Sequence, residues 1–159
     1  GSILPLFMSL KEKGVIPITD PRMTRFMISL KQGVELVWHA FEDMLGGEIY
    51  VKKIPSMRVT DVAEAVAPGC QQEIVGIRPG EKLHEQMIGA EDALYTYEYD
   101  EHYKILPSIH SWGTCKNRIK DGKKVAEGFI YSSDSNPEWM TSRDLQDWVG
   151  KNENYIGKI

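Results

Sequence analysis

Three short blocks of this chain carry residue types suited to chemistry. Arg78 follows an apolar stretch and is succeeded by Pro79 and Gly80. A guanidinium held on so stiff a turn offers a planar fork to the oxygens of a phosphate. The competing reading pairs Arg78 with a nearby acid such as Glu81, a surface contact of small value. The run Ser132-Ser133-Asp134-Ser135-Asn136 gathers small hydrogen-bonding groups. Such a run can read ribose hydroxyls or a base edge, or it can close an exposed Asx bend on itself. Arg22 and Arg25 flank Met23-Thr24 after the Asp20-Pro21 turn.

Other chemistries have no local signature. There is no Gly-x-Ser-x-Gly, no Gly-x-Gly-x-x-Gly and no Walker loop, so neither a nucleophile elbow nor a pyrophosphate cradle is expected. His39, His84, His102 and His110 lack metal-ligand spacing, and Cys70 and Cys115 form no Cys-x-x-Cys pair, so no metal site or disulfide framework is expected. A formal net charge of −4 lacks the basic footprint of a nucleic-acid binder. The apolar runs are far shorter than the roughly 20 residues that span a bilayer. With 42% hydrophobic and 26% charged residues, the chain can build a core of its own, and two unpaired cysteines fit a reducing cytoplasm.

The elements that must position these blocks follow from periodicity. Residues 3–13 read as a helix stopped by Gly14, and 15–18 as a short strand kept at an edge by Pro17. The clearest helix covers 30–45. Ser29 and Gln32 form its capping box, and Leu30, Val34, Val37, Trp38, Phe41, Met44 and Leu45 make one apolar face, expected to pack into the core. Strands are expected at 48–51, 73–77 (buried), 95–99 and 103–106. Helices are expected after Thr60, over 81–87, and after Thr141 or Ser142, with 108–128 as loop. The order implies α/β or α+β architecture with strands too few and too short for a complete sheet.

The same blocks carry a resemblance. Ile18 to Phe26 resembles the "ITDPxMTRF" stretch of the inverting UDP-N-acetylglucosamine 4,6-dehydratases, which belong to the extended short-chain dehydrogenase/reductase superfamily and its polysaccharide and flagellin-glycan group. Residues 46–57 are similar to "GGEIFVPKIPSM", 77–85 to "IRPGEKLHE", 131–139 to "YxSDxNxxWL" and 1–7 to "GSVIPLF". Met27 and Lys52 depart from the pattern, which has tryptophan and proline there.

The resemblance implies the carboxy-terminal, substrate-binding region of an extended Rossmann-type enzyme, over residues 1–150 with a tail at 151–159. It implies UDP-sugar contacts at Gly1, Ser2, Ile3, Thr19 and Arg78, with Ser133, Asp134, Ser135 and Asn136 closing over the nucleotide. Arg25 is expected to pin the loop before the main helix. NADP and the Tyr-x-x-x-Lys pair belong to the family's amino-terminal half. None of the seven tyrosines here has a lysine four residues on, so no catalytic residue is expected in this chain. The implied parent is a cytoplasmic, homo-oligomeric lyase; the implied partners are a UDP-sugar and the Rossmann half or a separate catalytic chain. The alternatives are a stand-alone UDP-sugar-binding module, and a retaining dehydratase or C4 epimerase of the same superfamily.

Overall fold

A computed structural model describes residues 3–108 and 116–152. They form two compact units: residues 3–27, 55–85 and 136–152 make the first, and 28–54 with 86–108 and 116–135 the second.

The first unit is built around a small helix. α3 (Val59–Val66) buries Val59, Val62, Ala63 and Val66, the spacing of a helix face turned to a core. Its alanines let neighbours approach closely, and α1 (Ile3–Leu10) and α5 (Ser142–Asn152) pack against it. Leu4 and Phe7 from α1 and Leu145 from α5 complete the core with Ile16, Ile18, Met23 and Met57. Met27, the departure from tryptophan, packs against the same cluster. After α1 a single 3-10 turn, Lys11–Lys13, ends at Gly14, whose φ of 73° only glycine adopts cheaply. The chain then enters β1 (Val15–Ile18), which pairs in parallel with β5 (Gln71–Ile74), Val15 opposite Gln71 and Ile18 opposite Ile74. β2 (Thr24–Phe26) pairs antiparallel with β4 (Ser56–Arg58). Thr141 caps α5: its Oγ1 accepts from the Asp144 N–H at 3.2 Å while Asp144 accepts from the Thr141 N–H at 3.0 Å.

The second unit carries α2 (Leu30–Asp43) and a four-stranded antiparallel sheet. Its order is β3 (Ile49–Lys52), β8 (His102–Ile105), β7 (Thr96–Glu98), β9 (Lys123–Lys124). β6 (Gln86–Ile88) pairs antiparallel with β10 (Tyr131–Ser132), and α4 (Lys116–Ile119) is one short turn of helix. The capping box expected at Ser29 and Gln32 is present. Tyr103 packs its ring against Tyr131 and Phe129, at 5.1 and 5.3 Å between centroids.

The α/β reading holds: helices and short strands in small sheets. Several local expectations do not. The apolar face of α2 is exposed, not core; no residue of that helix is buried. The stretch 73–77 is not a buried strand: β5 ends at Ile74, and Ile74, Val75 and Ile77 are exposed. Residues 81–85 form no helix, and 86–88 are strand. Tyr95 closes a 3-10 turn that precedes β7. Thr60 does not cap α3, whose N-cap is Arg58 with no side-chain bond. Residues 116–119 and 123–124, expected as loop, are helix and strand. No helix among the described residues is long and apolar enough to cross a membrane.

Candidate functional site

β1 and β5 run side by side in the same direction, and the chemistry sits where both end. Past the paired residues the Val75 N–H still donates to the Ile18 carbonyl at 2.9 Å. The strands therefore release Thr19 on one side and the Val75–Arg78 segment on the other, at one edge. In open α/β sheets ligands bind beyond the carboxyl ends of parallel strands, and here those ends carry Thr19, half-buried in a bend, and Arg78, exposed.

Arg78 is held by a tight turn. Pro79 occupies the second position and Gly80 the third, with φ of 85°, and the Glu81 N–H donates to the Arg78 carbonyl at 3.1 Å. This is the pattern of a type II turn. Glu81 does not pair with the guanidinium; its Oε2 accepts from the Arg78 backbone N–H at 2.9 Å. Among the described residues no carboxylate stands within ion-pair distance of the Arg78 fork. Arg22, by contrast, is spent: its backbone N–H, Nε and Nη2 donate to Asp20 at 2.8, 3.0 and 2.8 Å. The bonds from the Arg22 side chain and backbone hold the Asp20 carboxyl down at about 2.

The two blocks that looked chemical are locked together. The Thr24 N–H donates to the Leu83 carbonyl at 3.1 Å, and Thr24 Oγ1 lies 2.8 Å from His84 Nδ1. Arg25 Nη1 donates to the Thr24 and Leu83 carbonyls at 2.6 and 3.2 Å, and Nη2 to the Lys82 carbonyl at 3.2 Å. The Phe26 N–H donates to Glu85 Oε2 at 3.1 Å. Arg25 is thus a structural fork, and these bonds explain why 81–87 is no helix: the carbonyls and side chains a helix there would use are drawn across to 24–26.

The 132–136 segment largely satisfies itself. Ser132 Oγ donates to Asp134 Oδ1 at 2.6 Å and lies 2.9 Å from Ser135 Oγ. Ser133 is fully buried in the second unit, while Asp134 and Ser135 are exposed. Asn136 belongs to the first unit, where its Nδ2 donates to Ser56 Oγ at 3.0 Å and to the Glu138 carbonyl at 2.9 Å. Ile3 begins α1 and is half-buried. Gly1 and Ser2 lie outside the described residues.

A second polar cluster escaped the sequence reading. Within the second unit a cavity of about 540 Å³ is lined by Glu35, His39, Asp43, Tyr99, His102 and Lys120, among others. Lys104, fully buried, pairs with Asp43 and donates to the Arg118 carbonyl at 3.0 Å. Asp43 also accepts from Lys120 and, at 2.7 Å, from the Tyr50 hydroxyl. Burial alone would raise the Asp43 pKa; the three donors outweigh it and hold the carboxyl well below the usual range. Tyr99 stacks on His102 at 4.6 Å with the rings 2° from parallel, and burial pushes its hydroxyl up to about 12. Burial, then the neighbouring His39 and Lys104, lowers His102 to about 4. The one sequence signal was the spacing of Glu35, His39 and Asp43 along a single stripe of α2. Among the described residues no group of three or more His, Cys, Asp and Glu side chains is arranged to hold a metal.

The family described as "Polysaccharide biosynthesis protein" matches residues 1–107. A UDP-N-acetylglucosamine 4,6-dehydratase (inverting) from Campylobacter jejuni subsp. jejuni strain 81-176 is 46% identical over 98% of this chain and 48% of its own length. A UDP-glucose 4-epimerase from Rickettsia canadensis is 34% identical over 79% of this chain and 38% of its own. The X-ray structure of Pen from Bacillus thuringiensis superposes with a TM-score of 0.78 at 26% identity, over 96% of this chain and 45% of that one. The chain thus spans about half the length of the curated dehydratases it matches.

Proposed function

Because the chain belongs to the family of polysaccharide biosynthesis proteins, we propose that it is the substrate-binding part of an inverting UDP-N-acetylglucosamine 4,6-dehydratase, and that its own task is to hold the UDP moiety. One observation carries the reading. Thr19 and Arg78 leave the carboxyl ends of adjacent parallel strands, and the Arg78 fork stands on a rigid turn with no carboxylate among the described residues neutralising it. A diphosphate is the ligand such a fork suits, since two parallel N–H donors meet two anionic oxygens. Thr19 supplies a hydroxyl on the uridine side. The remaining contacts, Gly1, Ser2 and Ile3 toward the sugar and Ser133, Asp134, Ser135 and Asn136 toward the nucleoside, belong to the same proposal.

The redox chemistry is assigned to the half that this chain does not span. NADP would be held by that half and would supply the hydride exchange of the dehydration there. These 159 residues contain neither a glycine-rich phosphate turn nor a Tyr-x-x-x-Lys pair, so the chain's residues bind and orient rather than transfer protons. The same proposal takes the full protein to be a cytoplasmic homo-oligomer.

Calorimetric titration with UDP tests the reading. The chain is expected to bind UDP, and Arg78→Ala to weaken binding by about tenfold or more, the loss of a charge-assisted pair. Binding unchanged by Arg78→Ala, or no heat at millimolar UDP, would overturn it.

A further inference from the structure

Arg78 rides on a segment with a glycine bend on either side. Gly76 and Gly80 hold φ of 87° and 85°, values that an L side chain adopts only at a cost. No atom stands within 4 Å of where a Cβ would sit on either glycine, and Arg78 itself is exposed. Packing around the fork therefore does not hold it in place, and the two ends of the segment must. Upstream, the Val75 N–H is bonded to the Ile18 carbonyl at 2.9 Å. Downstream, the carbonyls of Lys82 and Leu83 accept from Arg25, and Leu83 also from the Thr24 N–H. The Leu83 side chain packs against the core cluster. Those bonds use backbone acceptors that any residue would offer, and apolar packing has no direction. His84 adds a directed side-chain bond: its Nδ1 lies 2.8 Å from the Thr24 Oγ1.

Thr24 is a firm post. It is 3% exposed and sits in β2 opposite Arg58 of β4. Its neighbour Met23 lies in the core and accepts from the Val59 N–H at 3.0 Å, where α3 begins. A bond to so fixed a residue carries the position of the core to the chain that follows Arg78. It also confines the free segment to 76–82, which lessens the freedom lost when the fork closes on an anion. We propose that His84 is a positioning residue for Arg78: through Thr24 it fixes the downstream end of the segment, so that the guanidinium meets the diphosphate already oriented. The proposal rests on the UDP reading for the identity of the ligand; the placing of Arg78 is a property of the free chain.

Two substitutions separate the bond from the bulk of the ring. His84→Phe keeps a ring and removes Nδ1; His84→Asn removes the ring and keeps a polar atom in the place of Nδ1. Calorimetric titration with UDP should show binding weakened by about fivefold in His84→Phe, the loss of one ordinary hydrogen bond. His84→Asn should stay within about twofold of the parent, because the bond is kept. Parental affinity in His84→Phe with a loss in His84→Asn would mean that the ring only packs, and overturns the proposal. In an Arg78→Ala background His84→Phe should cost nothing further, since a residue that acts through another is not additive with it. The full loss in that background would mean that His84 serves the site by another route, and also overturns it. Amide exchange followed by NMR reads the free chain. The N–H groups of Arg78 and Glu81, both bonded within the turn, should exchange about fivefold faster in His84→Phe, while those of α3 keep their rates. Unchanged exchange at Arg78 and Glu81 overturns the proposal without reference to UDP. Should Arg78→Ala leave UDP binding intact, the UDP reading fails, and the exchange rates still decide the role of His84.

Discussion

At the scale of single residues, the decisive contrast is between Arg22 and Arg25, which are spent, and Arg78, which has no ion-pair partner among the described residues. Arg22 is bound by Asp20, and Arg25 by three carbonyls, whereas Arg78 has its backbone fixed by Glu81 and its fork left to solvent. The Arg25 fork ties the turn that carries Arg78 to β2. We expect Arg25→Ala to cost about 1–3 kcal/mol, since it strips charged donors from partly buried carbonyls. Thermal unfolding should show the loss directly, and UDP affinity should fall less than in Arg78→Ala. An unchanged melting temperature would mean that the fork is incidental. The sequence exposed part of this contrast. Proline and glycine after Arg78 announce a rigid turn, but nothing in composition tells that Glu81 spends its carboxylate on a backbone N–H. Ser133 and Asn136 likewise read as ligand contacts by type; their burial, and the bonds of Asn136 to Ser56 and Glu138, depend on residues distant in sequence.

At the scale of elements, local rules succeeded where local bonds decide. The Ser29–Gln32 capping box and the Gly14 stop are settled within four residues. They failed where a partner strand took the bonds, as at 81–85, and where amphipathicity was read without knowing which side faces inward, as on α2. The second unit's buried network is the least legible case, because its members come from α2, β3, β8 and the turn after α4. It also has a pH signature. His102 is held at about 4 in the fold, chiefly by burial, against an ordinary 6.5 in the unfolded chain. As pH falls from 6.5 toward 4, the unfolded chain takes up a proton that the folded one refuses, so stability declines across that window and levels off below it. We expect about 1–2 kcal/mol less stability at pH 5 than at pH 7 from this group. Denaturant midpoints at the two pH values should show it in the parent chain and not in His102→Phe. Equal sensitivity in both would place the effect elsewhere.

At the scale of the whole chain, the surfaces left uncovered are as informative as the cores. The first unit presents Ile74, Val75 and Ile77 along and beyond β5, in a parallel pair that has no third strand among the described residues. Parallel strands normally lie covered on both faces, and an open apolar edge invites pairing with another chain. The second unit presents the exposed apolar face of α2. Each surface belongs to a different unit, so each should promote association independently. In isolation the chain is expected to self-associate as its concentration rises, whereas Phe41→Lys or Ile74→Lys alone should lower light scattering partially. The double variant should scatter as a monomer, because a lysine at the centre of either surface makes its burial costly. Phe41 lies in the other unit from Thr19 and Arg78, so UDP affinity should be the same in Phe41→Lys as in the parent. Association that persists undiminished in the double variant would mean that these two faces do not drive it.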